Sequence, residues 1–246
     1  MNPFNLSGKH ILVTGASSGI GKATAILCSE LGARMTINGR NNSRLEETLS
    51  SLSGEGHRMF CLDLSDKEKV IKMVTEIEKL DGIAFCAGTQ VTCTAKNIEG
   101  TVINTLFQNN FDSLVLLVSA ILSKKKLNKG ASLAFVSSLT ALHCAQMGNA
   151  LYSATKGAIL SYSKVLALEL SCRKIRVNTV SPGMVRTPLL EKIDITPEQL
   201  FEDEKKYPFG YGCPDDVASA IAFLLSDGAK WITGTDMILD GGFRLQ

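Results

Sequence analysis

Tyr152 and Lys156 stand four residues apart in a strongly helical stretch, so their side chains share one helix face. A free phenol titrates near 10 and is a poor base at neutral pH. A neighbouring ammonium favours the phenolate, and such a pair can move a proton to or from an alcohol oxygen. Upstream, the apolar run Leu133–Val136 ends at Ser137 and Ser138. A hydroxyl at the carboxyl end of a buried strand is placed to hydrogen-bond an oxygen on which charge develops. Taken singly, the pair reads equally well as an amphipathic helix surface and the serine as a turn cap. Together they suit the interconversion of a carbonyl and a secondary alcohol, in which hydride moves to or from a nicotinamide.

A dinucleotide requires a phosphate cradle, and the segment Thr14-Gly15-Ala16-Ser17-Ser18-Gly19-Ile20-Gly21 has that chemistry. Glycines let the backbone approach a pyrophosphate, and the free N–H groups of the following helix face the anion. The spacing is G-x-x-x-G-x-G rather than the commoner G-x-G-x-x-G. After the second strand comes Gly39-Arg40-Asn41, which supplies a guanidinium and no carboxylate. Arginine matches a ribose 2′-phosphate, whereas an acidic residue would hold a free 2′-OH. NADP is therefore the expected cofactor and NAD the second choice. The competing reading makes Arg40 a solvated residue at a helix start.

These groups need elements to hold them. Short β-branched or apolar runs at His10–Thr14, Arg34–Asn38, Arg58–Cys61, Gly82–Phe85, Ser132–Val136, Ile175–Val180 and Met237–Leu239 read as strands. Helical patterns lie between them near Gly21–Leu31, Arg44–Ser51, Lys67–Lys79, Phe111–Lys126, Leu151–Leu170 and Pro214–Leu225. Ser65 with Glu68 predicts a capping box, and Pro214 with Asp215 and Asp216 a helix start. The alternation predicts an α/β class: a single-domain, doubly wound Rossmann-type sheet over residues 1–246, with helices on both faces. The stretch Gly183–Cys213 is the one long irregular candidate, with three prolines inside. It carries Leu189, Leu190, Ile193, Leu200, Phe201, Tyr207 and Phe209, so it is expected to form a substrate lid near 184–213. A small satellite helix pair is the alternative.

With these pieces in order, the chain resembles the classical short-chain dehydrogenase/reductase family from Leu6 to Phe243. The resemblance rests on Thr14–Gly21, Asp63, Ala87-Gly88, Asn110, Ser138, Tyr152–Lys156, Ser181-Pro182-Gly183 and the tail Gly234–Gly242. It implies a seven-stranded sheet and a catalytic tetrad of Asn110, Ser138, Tyr152 and Lys156. Tyr152 would be the acid/base, Ser138 the donor to the substrate oxygen, Lys156 the ribose ligand, and Asn110 the holder of a relay water, with Asn109 the neighbouring alternative. Gly15, Ser17, Ser18, Gly19, Ile20, Gly21 and Arg40 would cradle the nucleotide. Asp63 would contact the adenine, with Leu64, Cys86, Ala87 and Gly88 completing that side. Pro182, Gly183, Val185 and Thr187 would contact the nicotinamide end. Two departures stand out: Cys86 replaces the family's usual asparagine, and Ser18 stands where many NADP-using relatives are basic.

Relatives with the closing Asp240-Gly241-Gly242 are often 3-oxoacyl-carrier-protein reductases. An acyl-thioester substrate and an acidic acyl carrier protein are thus candidate partners, beside sugar, steroid and small-ketone substrates. The cluster Lys124, Lys125, Lys126, Lys129, Arg173 and Lys174 is a candidate docking patch, and equally a solvated helix end. The resemblance also implies a homotetramer built on the apolar helices Phe111–Lys126 and Leu151–Leu170, with a dimer second.

Composition excludes other classes. The 246 residues suit one large α/β domain. A net charge of +2 gives no electrostatic case for nucleic acid. The longest apolar stretch, Leu114–Leu122, is too short to span a bilayer, and no secretory signal opens the chain. The seven cysteines are scattered without a C-x-x-C, which predicts reduced thiols in a cytoplasmic protein and no metal site. Two other classes stay open. One is a nucleotide-binding regulatory or scaffold protein without chemistry. The other is a nucleotide-sugar epimerase or dehydratase, which the glycine spacing and short chain disfavour.

Overall fold

The computed structural model describes residues 2–190 and 196–245. Seven parallel strands form one sheet: β1 (His10–Thr14), β2 (Arg34–Gly39), β3 (Arg58–Cys61), β4 (Leu80–Phe85), β5 (Leu127–Val136), β6 (Arg176–Pro182) and β7 (Asp236–Leu239). Their order is β3-β2-β1-β4-β5-β6-β7, so the winding reverses between β1 and β4. Ligand crevices in such sheets open at that reversal, beyond the carboxyl ends of the strands. The central strands are apolar runs because both their faces are covered. Leu133, Ala134, Phe135 and Val136 are all buried, as expected.

The helices divide the core in two. On one face, α3 (Lys67–Glu76), α5 (Ser113–Ser123) and α6 (Ala150–Leu170) bury Val70, Leu117, Ile121 and Ile159 against Leu133 and Phe135. On the other, α1 (Gly19–Glu30), α2 (Asn42–Ser50) and α8 (Pro214–Leu225) bury Ala25, Leu45, Ile221 and Leu225 against Ile11, Val13 and Ala84. Arg176 donates to the carbonyls of Leu224 and Ser226 at 2.7 and 2.9 Å, which closes the carboxyl end of α8.

Four expectations need correction. The cap of α3 is Asp66, whose carboxylate accepts the Lys69 N–H at 3.1 Å; Ser65 lies one residue too early. The apolar helix begins before Phe111: α4 (Gly100–Phe107) runs through a π-helical turn, Gln108–Asp112, into α5. This continuous helix, Gly100–Ser123, is long and apolar enough to cross a membrane, unlike the nine-residue run visible in the sequence. It instead packs along α6 and α3, with Leu106, Leu117 and Val118 buried in the fold. Finally, the stretch Gly183–Cys213 is not wholly irregular. It contains α7 (Pro197–Glu204), started by a reciprocal Thr196–Gln199 capping box with Pro197 in the first turn. Ile193 lies outside the described residues.

Candidate active site

The loop between β1 and α1 has the geometry of a phosphate cradle. Gly15 has φ +67°, and a Cβ there would sit 2.8 Å from the Ala87 backbone. A Cβ on Gly21 would lie 2.3 Å from the Gly15 carbonyl oxygen. Neither position admits a side chain, and the turn leaves open space above it. Ser18 precedes α1 without a side-chain cap, so the first N–H groups of the helix are free for an anion. Above them runs a cleft of about 420 Å³, lined by Ser17, Ser18, Arg40, Asp63, Leu64 and Ala87 among others. These groups fit a dinucleotide.

Arg40 and Asp63 share one end of this cleft, and their charged groups meet at 3.4 Å. Burial raises the Asp63 carboxyl, but the Ser65 N–H and the Arg40 guanidinium outweigh it and hold the group below its ordinary value. The sequence reading missed Arg44, which lines the same end of the cleft. It stands four residues after Arg40 in the first turn of α2, a spacing that could have flagged it.

The turn after β4 is firm despite Cys86. Thr14 Oγ1 accepts the N–H groups of both Cys86 and Ala87 at 3.2 Å. Burial pushes the Cys86 thiol up to about 12, so it stays protonated at neutral pH.

A second cavity, about 240 Å³, adjoins the first and shares Ile20, Cys86, Gly88, Thr187 and Leu189 with it. Ser138, Tyr152 and Lys156 line it together, as do Pro182, Gly183 and Val185. Lys156 Nζ donates to the Val136 carbonyl at 2.9 Å and lies 5.7 Å from the centre of the Tyr152 ring. Ser137 is not a pocket donor in its own right. Its hydroxyl donates to the Lys156 carbonyl at 3.0 Å and ties α6 to β5.

Electrostatics depart from the sequence reading. Burial drives the Tyr152 phenol up to about 12, opposed by the Ser138 hydroxyl, and the Lys156 ammonium does not reverse this. Burial also lowers Lys156 to about 8. Desolvation is the largest cause of both shifts.

Asn110 sits in the π-helical turn, 1% exposed, behind the pocket wall; Asn109 lines the nucleotide cleft instead. Asn110 clamps the loop that follows the Cys86 turn. Its Oδ1 accepts the Thr89 N–H at 2.7 Å, while Nδ2 donates to the Thr89 carbonyl at 2.9 Å and to Thr155 Oγ1 at 3.1 Å. A Cβ on Gly88 would be 3.4 Å from both Asn110 Oδ1 and Lys156 Nζ, so the two residues flank the same point.

The rest of the pocket comes from loops. Leu189, Leu190 and Tyr207 of the 183–213 segment line it, and the tail adds Phe243. Phe201 and Phe209 are exposed and do not. The segment closes on itself where Gly212 and Arg186 exchange backbone bonds with Met184 and Gly212 at 3.0 and 2.9 Å. The loop from Ser138 to α6 is tied to the sheet edge by a bond between His143 Nε2 and Asp236 Oδ2 at 2.7 Å. Asp236 also accepts the Thr179 and Ser181 hydroxyls at 2.9 and 2.8 Å.

The lysine-rich cluster lies at the other end of the molecule. It flanks the start of β5, whose ten residues run to the site. At about 3.3 Å per residue that is roughly 30 Å away. Lys126 and Arg173 are also engaged, donating to the carbonyls of Ile77 and Leu127.

Residues 15–244 match the family model described as enoyl-(acyl carrier protein) reductase. The chain is 31% identical to the 3-oxoacyl-[acyl-carrier-protein] reductase FabG of Rickettsia conorii, over 98% of this chain and 99% of that one. It is 32% identical to the glucose 1-dehydrogenase of Gluconobacter oxydans, over 97% and 93%. A short-chain dehydrogenase/reductase of Brucella melitensis, described as a glucose/ribitol dehydrogenase, superposes with a TM-score of 0.90 at 28% identity, covering 96% and 97%. With its sheet order, its glycine cradle and relatives of the same length, the chain belongs to the short-chain dehydrogenase/reductase family of NAD(P)-dependent oxidoreductases.

Proposed function

We propose that the chain is an NADP(H)-dependent oxidoreductase that interconverts a carbonyl and a secondary alcohol. The observation that carries this reading is the convergence of Ser138, Tyr152 and Lys156 in a cavity contiguous with the glycine-loop cleft. When bound, the nicotinamide supplies or takes the hydride. Tyr152 gives its phenolic proton to the carbonyl oxygen in reduction and takes it back in oxidation. Ser138 donates a hydrogen bond to that oxygen as charge builds on it. Lys156 holds the ribose beside the phenol. Asn110, through the π-helical turn and its clamp on Thr89, keeps the neighbouring backbone in place for a proton relay.

Arg40 supports NADP over NAD, and Arg44 adds a second guanidinium at the same end of the cleft. Asp63 is then the residue Arg40 leaves when a 2′-phosphate arrives. Segment 184–213 acts as the substrate lid. The protein is cytoplasmic and forms a homotetramer through α5 and α6, whose Val165 and Leu168 are 57% and 76% exposed.

The test is a parallel fluorescence titration with NADPH and NADH. NADPH is expected to bind at least tenfold more tightly, and Arg40→Ala to erase most of that preference while leaving NADH nearly unchanged. Equal affinity for both in the unaltered protein would remove the NADP assignment. Binding of neither would favour a non-catalytic role.

A further inference from the structure

One wall of the catalytic pocket is a chain of three amides. Asn149, only 2% exposed, starts α6 three residues before Tyr152. Its Oδ1 accepts from Gln90 Nε2 at 3.2 Å, and its Nδ2 donates to Gln146 Oε1 at 2.7 Å. Whichever way the three amides are turned together, the chain leaves one amide oxygen and one amide N–H group over. One of these groups is on Gln90 and the other on Gln146, and neither has a protein partner among the described residues. All three side chains line the cavity. An alkyl chain laid along this wall would strip water from amide groups and return no hydrogen bond. A substrate bearing hydroxyls beside its carbonyl would replace that water with bonds of its own.

The pocket border carries a second, independent sign. Segment 183–213 has six acidic and four basic residues. Its described cations are already spent: Arg186 on Glu204, Lys205 on Glu202 at 2.5 Å, and Lys206 on Asp203 at 2.9 Å. Next to Phe243, Arg244 pairs with Asp240 at 2.9 Å. Among the described residues of this segment, an acidic carrier protein would meet more carboxylates than cations, with each cation already paired, while the lysine cluster lies at the far end of β5.

Resting on the oxidoreductase reading above, we propose that the substrate is a small, free, hydroxylated ketone of the ketose class, not a carrier-tethered acyl chain. The Gln90–Asn149–Gln146 chain sets this specificity. The reaction balances as ketone plus NADPH plus one proton giving the secondary alcohol plus NADP⁺.

The experiment measures NADPH oxidation by the full chain with dihydroxyacetone, a ketopentose, a ketohexose, 2-butanone and an acetoacetyl thioester on acyl carrier protein. A ketose or dihydroxyacetone is expected to have a kcat/KM at least tenfold above the thioester. Gln90→Leu is expected to lower the ratio of the ketose kcat/KM to the 2-butanone kcat/KM at least tenfold. The melting temperature of the NADP⁺-loaded protein should rise with the preferred ketose and not with the thioester. NADPH binding with the carrier thioester preferred over every hydroxylated ketone would overturn this proposal and leave the oxidoreductase reading intact. Failure to bind NADPH at all would overturn both.

Discussion

Tyr152 and Lys156 are held where water is scarce, and burial disfavours the charged form of each. With the phenol pushed up to about 12, its protonated form is nearly complete across neutral pH. Carbonyl reduction, which needs the phenol, is expected to be flat between pH 6 and 8. Alcohol oxidation, which needs the phenolate, is expected to rise with pH over the same range. Steady-state rates in both directions, at saturating cofactor, check this. For Lys156 the folded value, about 8, lies below the ordinary 10.5. The folded state thus binds fewer protons than the unfolded chain between those values, so this group's destabilising effect is full below pH 8 and fades towards 10.5. The penalty is at most about 3 kcal/mol. Lys156→Met is expected to abolish turnover yet raise stability by about 1–2 kcal/mol below pH 8, since the Val136 carbonyl loses its partner and offsets part of the gain. Denaturant melts of both proteins at pH 7 and 10 should show that gap narrowing.

At the scale of elements, much was legible because it is local. Alternating apolar runs and helical periods locate all seven strands, and Tyr152–Lys156 needs only a helix to bring its members together. What a sequence could not show is where separate elements meet. The π-helical turn at Gln108–Asp112 has no spacing signal, and its Asn110 meets Thr89, 21 positions away, only in the folded chain. Gln90 and Asn149 are 59 positions apart and meet only because two loops cross. The upward shift of Tyr152 likewise comes from burial, which no neighbour in sequence reports. His143 and Asp236, 93 positions apart, belong to the same group. Their bond pins the loop between Ser138 and Tyr152 to β7. Asp236→Ala would leave the Ser181 hydroxyl and the His143 imidazole without an acceptor, and the Thr179 hydroxyl with only the Thr235 carbonyl at 3.2 Å, at an expected loss of about 2–4 kcal/mol. Chemical denaturation should show that loss.

At the scale of the whole molecule, the covering of the sheet is uneven. α1 and α8 pack closely on each other, and α8 buries Val217, Ile221 and Leu225. On the opposite face α6 buries one side and leaves Val165 and Leu168 to solvent. Covering such residues in a second copy is favourable by about 25 cal/mol for each Å² of apolar surface removed from water. Val165→Asp with Leu168→Asp is expected to convert the proposed tetramer to a smaller species while the monomer fold persists. Light scattering after size exclusion, with circular dichroism as the control, measures this. A monomer in the unaltered protein would refute the tetramer.

The two clefts share Ile20, Cys86, Gly88, Thr187 and Leu189, so each is a wall of the other. In kinetic language this is an order of arrival. A nucleotide seated on the glycine loop supplies the missing side of the catalytic pocket, whereas a substrate that enters first faces an open trough. An ordered sequence, nucleotide first on and last off, is the expected outcome, and product-inhibition kinetics measure it. By linkage, whatever affinity the substrate gains from the bound nucleotide, the nucleotide gains equally from the substrate.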